Sequence, residues 1–157
     1  MIEYLSKILL EDKYTHAIIL PCFKIKKLIE HIEKEKAIKS ILITREEEGI
    51  GIAAGLVLSG KKPFMLIQSS GLGNSINAIC SLLFAYNIPL LILASYRGYY
   101  NETMEAQIEL GKRLPGILDG IKIDYKIIDK GDKQVLSSII RKEDSIRIGL
   151  LSPRCFE

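Results

Sequence analysis

Three consecutive carboxylates, Glu46, Glu47 and Glu48, open the segment Thr44–Leu58, and no polar side chain follows from Gly49 to Leu58. A carboxylate at the start of an apolar helix can hold or exchange a proton in a water-poor place. On helical spacing Glu47 shares a face with Ile50, Gly51, Ala54 and Gly55, which puts it at the edge of a stripe of small apolar residues. A structural role competes for the same residue. Thr44-x-x-Glu47 reads as a capping box, and acidic side chains in a first turn are favoured by the helix dipole. A helix that is apolar all round is covered all round. Gly51 and Gly55 each cost about 1 kcal/mol inside it, which points to another backbone approaching closely. A partner subunit is the simplest cover.

Three further segments carry polar groups at the ends of apolar runs. Gln68-Ser-Ser-Gly-Leu-Gly-Asn-Ser-Ile-Asn77 follows a strand-like run and opens a helix-like one. Glycine-rich turns of this kind let backbone amides approach a ligand. A dinucleotide fingerprint needs a third glycine where Ile76 stands, and the lysine of a phosphate-binding loop is missing. Alternatively Gly71 and Gly73 make a tight turn, with Asn74 or Ser75 capping the helix. Leu20-Pro-Cys-Phe-Lys24 places a thiol, Cys22, after a strand-like run, but no histidine pairs with it and an inert buried thiol is the plainer reading. Ser95-Tyr-Arg-Gly98 offers Arg97, whose fork suits a carboxylate or sulfonate; as a plain loop charge it would simply be solvated.

The elements that must position these groups alternate. Helical periodicity marks Ile2–Lys13, Lys24–Lys36, Arg45–Ser59, Leu72–Tyr86, Glu105–Leu118 (disturbed at Pro115) and Asp132–Arg141. Short apolar runs at Thr15–Leu20, Ser40–Ile43, Pro63–Ile67, Pro89–Ala94, Ile123–Ile128 and Ile146–Leu151 read as strands. Strands alternating with helices imply βαβ units. The expected fold is α/β: a doubly wound, mainly parallel six-stranded sheet with helices on both faces. In such sheets ligands gather beyond the carboxyl ends of the strands, where all the polar segments fall. No linker or repeat divides the chain, so residues 1–157 are expected to form one domain.

The 157 residues carry 22 Lys and Arg against 19 Asp and Glu, a net charge of +3, and aromatics are 7% with no Trp. That balance argues against nucleic acid as a partner. The three cysteines are widely spaced and odd in number, with no CxxC pair, and the two histidines stand at no ligand spacing from them, which argues against a zinc motif or disulfide framework. No signal-peptide pattern and no apolar run of membrane-spanning length occur, so a cytoplasmic protein away from the membrane is expected.

Arg45–Gly55, Gly60-Lys-Lys-Pro63 and Gln68–Ala78, with Leu20-Pro-Cys22, Ser95-Tyr-Arg-Gly98 and Ala106-Gln107 in order, resemble the pyrimidine-binding domain of thiamine-diphosphate decarboxylases. The likeness runs from about Thr15 to Ile128. It leans toward the alpha subunits of sulfopyruvate decarboxylase, with phosphonopyruvate decarboxylases next. The resemblance implies that a helix glutamate bonds the N1′ nitrogen of the cofactor's aminopyrimidine. Matching Gly-Ile-Ala-Ala to the family's stretch places it at Glu47 rather than Glu46 or Glu48. Pro21, Cys22, Gln68, Ser70, Gly71 and Asn74 become cofactor-binding candidates, and Phe23, Lys24, Tyr96 and Arg97 substrate candidates. No metal ligand is expected in this chain.

The same resemblance implies a thiamine diphosphate cofactor with Mg²⁺ and a small anionic 2-oxo acid as substrate, with sulfopyruvate favoured over phosphonopyruvate. Relatives anchor the metal and diphosphate through Gly-Asp-Gly and a later Asn. Here Leu118-Asp-Gly120 stands instead, and no Asn follows Asn101. A separate pyrophosphate-domain, beta-type subunit is therefore expected to complete a hetero-oligomer that is inactive without it. Tyr96, where relatives carry His or Trp, and Phe23, where they carry polar residues, depart from the pattern. A non-catalytic binding or regulatory module of the same fold is the alternative.

Overall fold

The computed structural model describes residues 1–157. Six strands alternate with six α-helices: α1 Ile2–Glu11, β1 His16–Ile19, α2 Lys26–Ile32, β2 Lys39–Leu42, α3 Glu46–Leu58, β3 Pro63–Gln68, α4 Ser70–Ala78, β4 Leu90–Ser95, α5 Glu105–Gly120, β5 Asp124–Ile128, α6 Lys133–Arg141 and β6 Ile146–Leu151. A 3₁₀ turn, Phe23–Ile25, leads into α2, and a π-helical stretch, Ile79–Phe84, prolongs α4. The strands form one sheet in the order β2-β1-β3-β4-β6-β5, and every pairing is parallel. The expected doubly wound sheet is therefore present, and it is parallel throughout.

Central strands β3, β4 and β6 are apolar along nearly their whole length because both faces are covered. One core layer packs α1, α2 and α6 on the sheet through Leu5, Leu9, Leu28, Ile32, Leu136 and Ile140. The other packs α3, α4 and α5 through Ile50, Ala53, Leu72, Ile79, Leu114 and Leu118. Strand β1 leads to β2 on one side, while β3 leads to β4 on the other. The crevice between the carboxyl ends of β1 and β3 is thus the topological switch point, the place where this class of sheet binds ligands.

One expectation needs correction. Helix α5 does not break at Pro115 but runs on to Gly120. A proline inside a helix leaves the carbonyl four residues back without its donor. Here that carbonyl belongs to Gly111, and the Tyr96 hydroxyl donates to it at 3.0 Å. Within this chain helix α3 keeps one bare side, the side for which its apolar sequence implied cover from another molecule. Gly51 and Gly55 face outward with nothing within 4 Å of where a Cβ would stand, and Leu58 is 77% exposed. No helix is long and apolar enough to cross a membrane.

Candidate functional site

Strands β1 to β4 deliver four polar turns to one edge of the sheet. After β2, Arg45 takes an extended conformation and acts as the N-cap residue of α3. Helix periodicity then decides which glutamate turns inward. The buried positions of α3 are Glu46, Gly49, Ile50, Ala53 and Ala54, so Glu46 begins the stripe that packs on the sheet. It is 7% exposed and enters no ion pair. Glu47, one position round the helix, is exposed and pairs with Arg45 at 2.6 Å. The capping contact belongs to Glu48, whose carboxylate accepts from the Thr44 amide at 3.2 Å and hydroxyl at 3.1 Å. The buried stripe is therefore rotated by one residue from the one that spacing suggested, and Glu47 lies outside it.

After β3 the chain enters α4 through Ser69, which is 1% exposed. Gly71 lies directly against the Glu46 side chain. A Cβ there would stand 2.2 Å from Glu46 Cγ and 2.3 Å from its Oε1. Only glycine lets the starts of α3 and α4 close on this carboxylate. Beside it, Thr44, Arg45, Glu46, Glu47 and Asn74 line an open polar depression of about 250 Å³. Gln68 and Ser70 are half-buried at the same edge.

The β1 and β4 turns meet next to this pair. Cys22 Sγ lies 3.3 Å from Ser95 Oγ. The Arg97 amide donates to Ser69 Oγ at 3.0 Å, which ties the turns after β3 and β4 together. The Arg97 side chain donates from Nε to Glu102 at 2.6 Å, and both side chains are largely buried, 14% and 6% exposed. That hydrogen bond, above all, holds the Glu102 carboxyl down at about 2. Lys24 also lowers it through space.

Not every candidate reaches the crevice. Tyr96 is buried at 4% exposure, stacked on Tyr99 with ring centroids 4.8 Å apart, and its hydroxyl is taken by Gly111. From there it supports α5, and its hydroxyl is not turned into the crevice. Phe23 is 87% exposed and Pro21 is exposed as well, on the outer lip beside Lys24. No group of three or more His, Cys, Asp or Glu side chains is placed to hold a metal ion. Spacing missed Glu46, Ser69 and Glu102. Glu46 was findable, since it is i−4 to Ile50 and i−7 to Ala53 on the stripe that packs inward.

Residues 1–115 match the model of the family described as thiamine pyrophosphate enzyme, N-terminal TPP binding domain. The chain belongs to this family. Its relatives include the sulfopyruvate decarboxylase of Methanosarcina acetivorans, 46% identical over 145 residues, which cover 90% of this chain and 37% of that one. The sulfopyruvate decarboxylase subunit alpha of Methanococcus maripaludis is 42% identical over 78% of this chain and 74% of its own length. The phosphonopyruvate decarboxylase of Streptomyces hygroscopicus is 34% identical over 65% of this chain and 25% of its own. The chain thus spans just over a third of the Methanosarcina relative and about three quarters of the Methanococcus one. Among solved structures, benzoylformate decarboxylase from Polynucleobacter necessarius superposes with a TM-score of 0.73 at 15% identity, over 99% of this chain and 30% of that one. That likeness is one of fold.

Proposed function

We propose that the chain is the alpha-type, pyrimidine-binding subunit of a thiamine-diphosphate-dependent 2-oxo acid decarboxylase that converts sulfopyruvate to sulfoacetaldehyde and CO₂. Such a reaction would serve coenzyme M synthesis in the cytoplasm. One observation carries the reading: a buried carboxylate, Glu46, without an ion partner, lies on a glycine at the switch-point edge of the sheet. The relatives' names favour the reaction and the substrate.

The residues fit the cofactor's pyrimidine. A carboxylate seated on Gly71 at the edge of an open polar depression, with the Asn74 amide at its rim, suits a flat, polar heterocycle with a basic nitrogen. Glu46, not Glu47, is the carboxylate for that nitrogen, because Glu47 already spends its charge on Arg45 at the surface. With the pyrimidine in place, the Glu46 carboxylate would face the ring nitrogen and exchange a proton with it from the side of α3 that packs on the sheet. Acid–base help of this kind is worth about 10²–10⁴-fold, or roughly 3–5 kcal/mol. Thiamine diphosphate, when bound, supplies the electron sink for the pair released with CO₂.

The diphosphate and Mg²⁺ fall to a pyrophosphate-domain subunit. In keeping with this, the sequence Leu118-Asp-Gly120 closes helix α5 and does not form a phosphate-facing turn. The exposed side of α3, with Gly51, Gly55 and Leu58, is the face we assign to that partner.

The test is CO₂ release from sulfopyruvate by this chain mixed with its partner, cofactor and Mg²⁺. Glu46→Gln is expected to lose at least a hundredfold in kcat and Glu47→Gln less than threefold. The reverse order would return the role to Glu47. Full activity in both variants would leave only a non-catalytic module, and a preference for phosphonopyruvate would move the substrate.

A further inference from the structure

We propose that Glu102 is a positioning residue that aims Arg97 at the anionic tail of the substrate. This rests on the decarboxylase reading above and adds to it which group recognises the tail and what orients that group.

The main chain of Arg97 is fixed from three sides. Its amide is held by Ser69, Ser95 before it closes the β4 pairing, and Gly98 after it is clamped to α5. The clamp allows no side chain: a Cβ at Gly98 would meet the Gln107 carbonyl at 2.1 Å, and one at Gly111 would meet the Arg97 carbonyl at 2.5 Å. Gly98 also sits at φ +77°, where only glycine is relaxed. The base of the arginine is therefore rigid, and its direction is left to the side chain.

Glu102 sets that direction. One carboxylate oxygen takes Nε, while the other accepts from the amides of Thr103 and Met104 at 3.2 and 3.3 Å. The carboxylate is thus anchored by its own loop and does not merely follow the arginine. Holding a guanidinium at Nε leaves its two terminal amino groups as a planar, charged fork for a second oxyanion. Cys22 acts through space on that guanidinium, which puts the side chain near the β1 end of the crevice. Lys24 acts on the same spot, so Arg97, Lys24 and Glu102 together leave one positive charge for a sulfonate or phosphonate group.

The experiment compares two substrates on the reconstituted enzyme: sulfopyruvate, with a charged tail, and pyruvate, with a methyl in its place. In Glu102→Gln, KM for sulfopyruvate is expected to rise about tenfold more than KM for pyruvate, with kcat on sulfopyruvate changed less than threefold. Glu102→Asp should restore part of the difference. Arg97→Lys, which keeps the charge and the acid but not the fork, should show the same selective rise and serves if Glu102→Gln does not fold. An equal rise in both KM values would mean a merely structural role and overturn the proposal, as would no rise at all. A wild-type enzyme inert toward every 2-oxo acid would remove the decarboxylase reading, and this one with it. An active enzyme without the split removes this one alone.

Discussion

Replacing Gly71 with alanine tests the central geometry without touching an ionisable group. The new Cβ would lie 2.2 Å from Glu46 Cγ, where ordinary contact begins at 3.4 Å. The glutamate side chain must therefore move by at least about 1.2 Å, because the α4 backbone that carries the methyl is held by the helix. A misplacement of about 1 Å at a reacting group can cost on the order of 10²-fold, close to 3 kcal/mol in the barrier. Stability should suffer much less. Overpacking of about 1–3 kcal/mol is offset in part by the helix preference of alanine over glycine, roughly 1 kcal/mol. The melting temperature of the isolated chain is expected to fall by only a few degrees. The assay is CO₂ release by the reconstituted complex at saturating cofactor, with Gly116→Ala as a control where a methyl meets open space. The double variant Glu46→Gln/Gly71→Ala sharpens it. If the methyl acts by displacing this carboxylate, the double variant should be no slower than Glu46→Gln alone. Losses that simply multiply would refute the reasoning, and so would more than a third of wild-type turnover in Gly71→Ala.

Gly51→Leu fills open space on the outer side of α3, so the isolated chain should melt at the same temperature or slightly higher, yet fail to co-elute with its partner on gel filtration. The Glu102 carboxyl, held at about 2 against an ordinary 4.5, stabilises the fold above the ordinary value and stops doing so as pH falls toward 2. Urea unfolding of wild type and Glu102→Gln should therefore differ by roughly 3 kcal/mol at pH 7, with the gap closing between about pH 5 and pH 2. Tyr14→Phe removes an acceptor from the buried Arg147 guanidinium, 2.6 Å away, and a donor to the Ile140 carbonyl. It should cost about 1.5–3 kcal/mol and lower the melting temperature by about 5 °C or more in a thermal scan.

The sheet was legible in the sequence because strands covered on both faces become uninterrupted apolar runs, as Leu90–Ala94 and Phe64–Ile67 are. The carboxyl-end turns followed from the alternation of strand and helix. What failed was rotation about a helix axis. Three adjacent glutamates differ by about 100° each, and a wholly apolar continuation gives no polar face to fix the phase. Only packing against Gly71 and the sheet selects Glu46. Pro115 misled because its remedy, the Tyr96 hydroxyl, comes from a strand turn 19 residues earlier. Glu102 was invisible for a related reason: its importance comes from a loop geometry that brings it back on Arg97.

The bare outer side of α3 has a thermodynamic consequence for whatever docks there. Gly51 and Gly55 have no side-chain rotamers, so this surface loses none of the roughly 0.5–1.5 kcal/mol that each long side chain forfeits when immobilised at an interface. The entropy loss has been moved from association into folding, where each glycine weakens the free helix by about 1 kcal/mol. Association through this face is therefore favoured at the expense of the solitary subunit.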